Sequence, residues 1–191
     1  QAALDYLKQP PPQLVAIGGL SGTGKTSVAA SLAPSLGPAP GAIHLRTDLE
    51  RKRLAGVGEF ERLPQSAYAP DARKRVYQIL SEKARLVLSA DHTVVIDAVF
   101  ADPDVRQDVE KLAQEAGVPF QGIWLHAVPE TLLKRITGRR NDASDATLEV
   151  VCGQLKGDHG PLTPAWTVVD AGGALIDTVA RAANAVKGLQ G

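Results

Sequence analysis

The sequence predicts an α/β fold with a mostly parallel, five-stranded sheet and helices on both faces. Short apolar runs alternate along the chain with segments whose apolar residues recur at helical spacing. A glycine-rich turn joins the first run to the first helical segment. Parallel strands connected through crossover helices produce this alternation. Ligands of such sheets bind beyond the carboxyl ends of the strands, so we look there for functional residues.

The strands are predicted where apolar runs are bounded by turn residues. The first run ends in Gly18 and Gly19, and the third carries one carboxylate, Asp97, near its end. The predicted strands cover residues 14–20, 42–46, 92–99, 120–127 and 166–170.

The helices follow from 3.6-residue periodicity and from their end signals. The clearest has Asp102 at the N-cap position, Pro103 in the first turn and Gly117 after the last turn. The predicted helices cover residues 25–36, 48–55, 71–90, 104–116, 145–156 and 175–187, and a further helix starts at Pro129.

Composition indicates one globular domain. The chain has 191 residues, of which 44% are hydrophobic and 22% charged, and its 21 basic side chains balance 21 acidic ones. This balance argues against a polyanion-coating role, and no apolar run reaches the roughly 20 residues that span a bilayer. The single cysteine, Cys152, excludes an internal disulfide and suits a reducing compartment, so we expect a cytoplasmic location.

The N-terminal region resembles a connection to another module. Methionine is absent, even at position 1, and Pro10, Pro11 and Pro12 form a stiff polyproline spacer. We therefore expect residues 1–12 to be a linker from an upstream domain, and residues 13–191 to be the domain itself.

A phosphate-binding loop follows the first strand. Two glycines with four residues between them precede Lys25 and Thr26, and this pattern lies between a strand and a helix. Backbone N–H groups of such a loop hold phosphates, the lysine reaches the β- and γ-phosphates, and the threonine hydroxyl binds Mg²⁺. The alternative is a glycine-rich turn that only connects the two elements. The predicted nucleotide-binding residues are Gly19, Leu20, Ser21, Gly22, Thr23, Gly24, Lys25, Thr26 and Ser27.

Three segments together resemble the P-loop kinases that include gluconate kinase, chloramphenicol phosphotransferase, zeta toxins and the kinase half of polynucleotide kinase. These segments are residues 18–26, 46–53 and 139–145. More closely, residues 10–171 resemble the AAA-type ATP-binding domain fused behind aminoglycoside-phosphotransferase-like domains in bacteria. The resemblance implies a three-layer P-loop NTPase fold with a helical lid, ATP and Mg²⁺ as cofactors, and phosphoryl transfer to an acceptor that it leaves open.

Asp48 and Arg51 are the predicted acceptor-side residues. They follow the second strand and lie three residues apart, which places both on one face of the first helical turn. In the polynucleotide kinase branch, the resemblance implies, the matching aspartate accepts the proton of the acceptor hydroxyl and the arginine steadies the substrate. The alternative is that Asp48 only caps the helix.

Asp97 needs a partner, because burying a carboxylate in an apolar strand is costly. It could order a water on Mg²⁺, orient the acceptor, or accept backbone N–H groups in a purely structural role. We list it with Thr26 as a metal-site residue.

Arginines after the fourth strand indicate a lid. Arg135 and Arg139 are predicted to close over the phosphates and stabilise the charge that grows in transfer, and Arg139 also to contact ATP. The alternative is a solvated basic helix end favoured by the helix dipole. Asp142 and Asp145 are interpreted as turn and N-cap residues, and Gly172 as an adenine contact.

The sequence thus predicts an ATP- and Mg²⁺-dependent kinase that phosphorylates a hydroxyl of a small molecule. Residues 56–70, the longest irregular stretch, are expected to cover the acceptor pocket. The alternatives are an ATP-binding regulatory module of a larger bifunctional protein and a 5′-hydroxyl polynucleotide kinase. The zero net charge weakens the last of these, since strand-binding grooves are basic.

Overall fold

The computed structural model describes residues 10–138 and 144–187. Its five strands form one parallel sheet in the order β2-β3-β1-β4-β5, which confirms the predicted fold class. The strands are β1 (Leu14–Gly19), β2 (Ile43–Arg46), β3 (Val94–Asp97), β4 (Phe120–His126) and β5 (Trp166–Asp170).

Seven α-helices connect or follow these strands within the described residues. They are α1 (Lys25–Leu32), α2 (Thr47–Ala55), α3 (Pro70–Ser89), α4 (Pro103–Glu115), α5 (Pro129–Thr137), α6 (Leu148–Lys156) and α7 (Leu175–Lys187). None of these helices is long and apolar enough to cross a membrane.

Two helix boundaries differ from the sequence prediction by more than one residue. The α-helix α1 ends at Leu32 and passes into a 3₁₀ turn at Ala33–Ser35, because Pro34 has no amide hydrogen for an α-helical bond. The helix α6 begins at Leu148, not at residue 145, and the Thr147 side chain caps it by accepting a hydrogen bond from the Val150 amide. Asp145 is therefore not its N-cap.

The central strand β1 is buried on both sides, with its first four residues fully inaccessible. Val15 and Ile17 pack against α1 and α7 on one face of the sheet, and Leu14 and Ala16 pack against α3 and α4 on the other. This alternation gives a three-layer core and brings the carboxyl ends of β1, β2 and β3 to one edge.

A buried arginine holds the loop that leaves β3. The Arg106 guanidinium donates hydrogen bonds to the carbonyls of Phe100 (2.7 Å) and Ala101 (3.1 Å), and to those of His159 (2.5 Å) and Pro161 (3.1 Å). Burial lowers the pKa of this guanidinium, and these carbonyls replace its lost hydration. The contacts tie the β3–α4 loop to the α6–β5 segment and so stabilise one wall of the sheet edge.

Gly122 in β4 makes room for Trp166 in β5. The two residues are register partners, and a Cβ on Gly122 would lie 2.2 Å from the indole Cδ2 atom. Trp166 also packs edge-on against Phe100, with 5.4 Å between ring centroids. The absence of a side chain at residue 122 is therefore a packing requirement of the sheet.

We expect Gly122→Ala to lower the free energy of unfolding by about 1–3 kcal/mol, because the indole must move to admit the methyl group. Gly153→Ala is the matched control. A Cβ on Gly153, within α6, would meet nothing within 4 Å, so this substitution should stabilise the chain by up to about 1 kcal/mol. Urea unfolding measures both changes, and equal effects would contradict the packing argument.

Candidate active site

The glycine-rich turn between β1 and α1 has the backbone of an anion-binding loop. Gly22 and Gly24 adopt φ angles of 93° and 89°, a region that favours glycine. Gly24 immediately precedes α1, so the first amides of this helix point out of its N-terminus without intrahelical acceptors. Lys25 folds back over the loop, and its Nζ donates to the Leu20 carbonyl at 3.1 Å. The turn therefore combines helix-end amides with a cation, the arrangement that binds phosphate.

Two side chains from elsewhere in the chain hold this loop. Gln154 of α6 accepts a hydrogen bond from the Ser21 amide through its Oε1 atom, at 2.8 Å. Arg135 of α5 donates to the carbonyls of Gly22 (3.4 Å) and Gly173 (3.1 Å). The sequence analysis missed Gln154, because a glutamine 133 residues away carries no motif that points to the loop.

A cavity of about 300 Å³ opens beside the loop on the α7 side. It lies between the loop, α1, Arg135 and the turn that follows β5. Its walls are formed by Gly22, Thr23, Gly24, Ser27, Val28, Arg135, Ala171, Leu175 and Thr178. Gly172, predicted to contact adenine, lies next to this wall in the chain, and its amide donates to the Asp170 carboxylate at 2.9 Å.

Thr26 and Asp97 meet at the centre of the sheet edge. The Thr26 hydroxyl donates to Asp97 Oδ2 at 2.5 Å, and Asp97 is almost fully buried. Burial would raise the pKa of Asp97, but the nearby His44, Lys25 and Thr26 outweigh it and hold this pKa below its ordinary value. Asp97 is therefore an ionised carboxylate, and the partner that its burial requires is in place.

These two residues fit a magnesium site. Mg²⁺ takes oxygen ligands and keeps several waters, so one or two protein oxygens suffice. The hydroxyl of Thr26 uses its proton toward Asp97, which leaves its lone pairs for a cation, and Asp97 retains a second oxygen for a metal-bound water. The described part of the chain contains no cluster of three or more His, Cys, Asp or Glu side chains placed to hold a metal ion, so a site here would depend on water and nucleotide phosphates.

Asp48 and Arg51 pair as the spacing predicts. Arg51 Nη1 donates to Asp48 Oδ1 at 3.1 Å within the first turns of α2. The residue that flanks the helix start is Arg46, without a side-chain cap, and Asp48 lies one position inside the helix. The interpretation of Asp48 as only an N-cap is therefore wrong.

The surroundings of Asp48 make it basic for a carboxylate. Burial raises its pKa, and the cations Arg51 and Lys25 only partly offset this effect, while the charge of Asp97 adds to it. The Ser144 hydroxyl also hydrogen-bonds to Asp48. Asp48 therefore lies close enough to Lys25 and Asp97 for their charges to act on its pKa.

Residues 56–70 are attached to the site through Asp145. This carboxylate accepts hydrogen bonds from the Leu63 amide (3.0 Å) and the Tyr68 hydroxyl (2.9 Å), and lies 3.5 Å from Lys52 Nζ. The Arg51 guanidinium in turn lies over the Tyr68 ring, with its Cζ atom 4.9 Å from the ring centroid. A chain of contacts thus runs from Asp145 to the Asp48–Arg51 pair.

Lys52 is the buried centre of this attachment. Its side chain is 2% exposed, and Nζ donates at 2.7 Å to the carbonyls of both Glu59 and Glu61. The sequence analysis missed Lys52 and assigned Asp145 to a helix cap. A lysine next to Arg51 in a charged helix is expected from the sequence to be exposed to solvent. Only the folded structure reveals that it is buried.

Part of the predicted lid lies outside the described residues. Arg139 and Asp142 fall in the segment 139–143, so their predicted roles stay predictions. Arg135 is described and contacts the loop and the cavity wall, as given above.

A family described as an AAA domain matches residues 14–157. Among curated proteins, an uncharacterized protein of Mycobacterium tuberculosis and one of Mycobacterium bovis are each 32% identical to this chain over 152 residues. The matched region is 78% of this chain and 30% of each relative, so the chain spans less than a third of the length of these relatives.

Solved structures share the fold. A gluconokinase from Sinorhizobium meliloti is 19% identical, with a TM-score of 0.65 and 94% of both chains covered. An APS kinase from Mycobacterium tuberculosis, in complex with AMPPNP and APS, is also 19% identical, with a TM-score of 0.66 and 93% of this chain and 99% of that chain covered. These likenesses show a P-loop kinase-like fold.

We expect Lys52→Met to lower the free energy of unfolding by about 3 kcal/mol, because it leaves two carbonyls and the Asp145 carboxylate without their buried cation. Lys111→Met is the control. Lys111 is 70% exposed and lies 3.8 Å from Glu115, so its loss should change stability by less than about 0.5 kcal/mol. Urea unfolding compares the two variants, and a Lys52 variant as stable as the control would refute the anchoring role.

Proposed function

The chain belongs to the AAA domain family whose model matches residues 14–157, and from this membership and its site we propose that it is an ATP- and Mg²⁺-dependent phosphotransferase. It transfers the γ-phosphate to a hydroxyl group of a small molecule. The P-loop kinase-like fold supports the reaction class. The names of the kinases with this fold indicate different acceptors. The acceptor of this chain therefore has to be inferred from its own residues.

One arrangement carries the proposal: the Asp48 carboxylate is paired with Arg51 at 3.1 Å, within reach of the charge of Lys25, and its burial raises its pKa. Binding a nucleotide requires the loop amides and Lys25 but no carboxylate, which repels phosphate. Accepting a proton from a hydroxyl does require one. Asp48 is therefore best explained as a general base.

The proposed step balances as follows. The acceptor oxygen forms a bond to the γ-phosphorus, the bond from that phosphorus to the β–γ bridging oxygen breaks, and its electron pair leaves with ADP. The hydroxyl proton moves to Asp48, which releases it to water afterwards. Lys25 and the first amides of α1 hold the phosphates, and Arg51 holds the acceptor beside Asp48.

Thr26 and Asp97 would help to hold magnesium, which would supply charge neutralisation on the phosphate oxygens. The residues themselves do the positioning. Thr26 is held by its hydrogen bond to Asp97, and Asp97 is held in its ionised form by its neighbours. Both lie at the carboxyl edge of the sheet near Asp48, which supports binding of nucleotide and acceptor on the same side of the sheet.

Two alternatives are tested by the same assays. An ATP-binding regulatory module would bind nucleotide without transfer to any acceptor, and the greater length of the relatives leaves room for a domain that such a module would serve. A 5′-hydroxyl polynucleotide kinase would prefer oligonucleotides over nucleosides. The equal numbers of basic and acidic side chains favour a small acceptor.

We expect Asp48→Asn to lower the turnover number by about 10²–10⁴-fold, the usual loss when a general base is removed. ADP release is measured with ATP and a panel of sugars, sugar acids, nucleosides, antibiotics and 5′-hydroxyl oligonucleotides. Asp71→Asn is the matched control, an exposed aspartate in the first turn of α3, and should keep full activity. Full activity in the Asp48 variant would eliminate the base assignment.

The pKa of Asp48 gives this test two further readouts. Since the pKa is raised, the folded chain holds this proton more tightly than the unfolded chain, and the ionised carboxylate costs stability at pH 7. Asp48→Asn should therefore not lower the thermal midpoint. The acid limb of kcat/KM should lie above the ordinary carboxyl value of about 4, and Arg51→Gln should shift it to higher pH, because Arg51 lowers this pKa.

We expect Arg135→Ala to raise the ATP dissociation constant about tenfold, because a guanidinium in the wall of the 300 Å³ cavity can stack on a base and pair with phosphate. Calorimetry measures the constant. Arg85→Ala is the control, since Arg85 is an exposed residue of α3 whose guanidinium lies near Glu115. Unchanged affinity in the Arg135 variant would show that its role is limited to holding the loop.

A further inference from the structure

Three buried nitrogen atoms at the acceptor edge have no hydrogen-bond partner in the described chain. They are His44 Nε2, Arg46 Nε and Arg51 Nε. A buried polar nitrogen without a partner is costly, and native structures contain few of them. All three belong to the short stretch 44–51, which forms β2 and the first turns of α2. Their concentration at one edge therefore indicates a ligand with acceptor oxygens.

The nitrogens of His44 and Arg46 lie around Asp97 without bonding to it. His44 Nε2 is 3.7 Å and Arg46 Nε is 4.0 Å from Asp97 Oδ2, both beyond hydrogen-bond distance. That oxygen already accepts the Thr26 hydroxyl. The two side chains are also 83% buried, so bulk water reaches them poorly.

Arg46 reaches away from Asp97 as well. Its Nη1 atom is 3.6 Å from Glu59 Oε1, and Glu59 is half exposed. This pair is weak, because one partner is largely solvated. The guanidinium therefore keeps donor capacity for a ligand at the site.

Arg51 is held in one orientation with a donor to spare. Its Nη1 atom bonds to Asp48, and the guanidinium plane stacks on Tyr68. Its Nε atom remains without a partner although the side chain is only 13% exposed. The two arginines flank the two carboxylates, since Arg46 lies beside Asp97, Arg51 pairs with Asp48, and Asp48 and Asp97 interact electrostatically.

We propose that the acceptor carries an oxyanion, a carboxylate, sulfate or phosphate group, and that Arg46 and Arg51 bind it while its hydroxyl faces Asp48. The proposal rests on the phosphotransferase function proposed above. Guanidinium groups match planar and tetrahedral oxyanions and form charge-assisted hydrogen bonds with them. Such a group would satisfy the buried Nε donors, which a neutral sugar or alcohol would do with weaker bonds.

The first test uses sulfate as the probe. The chain is saturated with Mg·AMPPNP, which fills the phosphate positions of the loop, and sulfate is titrated at constant ionic strength in a calorimeter. We expect saturable binding that Arg46→Gln and Arg51→Gln each weaken at least about tenfold, the loss of one charge-assisted bond. Arg53→Gln is the control, because Arg53 is on α2 but is 60% exposed and pairs with Glu50. Thermal midpoints verify that each variant is folded.

The proposal is overturned if the unsubstituted chain does not bind sulfate. It is also overturned if the Arg46 and Arg51 variants bind sulfate as strongly as the unsubstituted chain. Arg51→Lys provides a second variant, which keeps the charge but lacks Nε and should still weaken binding. An equal loss in the Arg53 control would indicate a general charge effect and would also overturn it.

The second test separates this proposal from the kinase function. Transfer is compared between acceptors that share a hydroxyl but differ in charge: sugar acids against sugars, and phosphate- or sulfate-bearing alcohols against the free alcohols. We expect kcat/KM to be at least about tenfold higher for one charged class, which also identifies the source of the oxyanion. Equal transfer to neutral members overturns the oxyanion site and leaves the kinase function intact. Arginine-dependent sulfate binding without any transfer supports the oxyanion site and overturns the kinase function.

Discussion

The burial of one carboxylate, Asp97, organises the functional edge of this protein. A carboxylate at the end of a buried parallel strand is stable only if cations or donors compensate for its lost hydration. Thr26 of α1, Lys25 of the loop and the β2 side chains His44 and Arg46 provide this compensation. The same requirement therefore places the loop lysine, the candidate metal position and the acceptor-side arginines within reach of one another.

The edge has two sides with different chemistry. On the α7 side, Arg135 and the cavity next to the loop offer a basic and partly apolar wall, which suits a nucleotide base. On the α2 side, Asp48, Arg51 and Tyr68 form a polar surface, which suits a hydroxylated molecule. In the proposed reaction the γ-phosphate would lie between them, at Lys25 and Thr26. Gln154 and Asp145 brace the two sides from the α6 region, so the geometry of the loop and of the acceptor side depends on that region.

Some residues of the candidate site could be predicted from the sequence and others could not, for physical reasons. The loop from Gly19 to Thr26 could be read directly, because its function requires residue types at set positions along one continuous stretch. Asp48 and Arg51 were also predictable as a pair, since helical geometry brings residues three apart together. Gln154, Lys52 and the partners of Asp145 could not be predicted, because each acts across a long sequence separation. Even the predicted N-cap at Asp145 failed, since its carboxylate accepts from residue 63 and from Tyr68 instead.

Local rules acting within short segments were sufficient to derive the succession of strands and helices along the chain, the position of the glycine-rich loop and the pairing on α2. Hydrophobic periodicity, turn chemistry and helix spacing need no knowledge of distant residues. Only the folded chain revealed the order of the strands in the sheet and the burial of Lys52 and Arg106. It also revealed the three nitrogens near Asp97 and Asp48 that have no hydrogen-bond partner among the described residues. The burial of a side chain and its hydrogen-bond partners depend on segments that are distant in sequence and meet in space. The residue type alone therefore does not determine either of them.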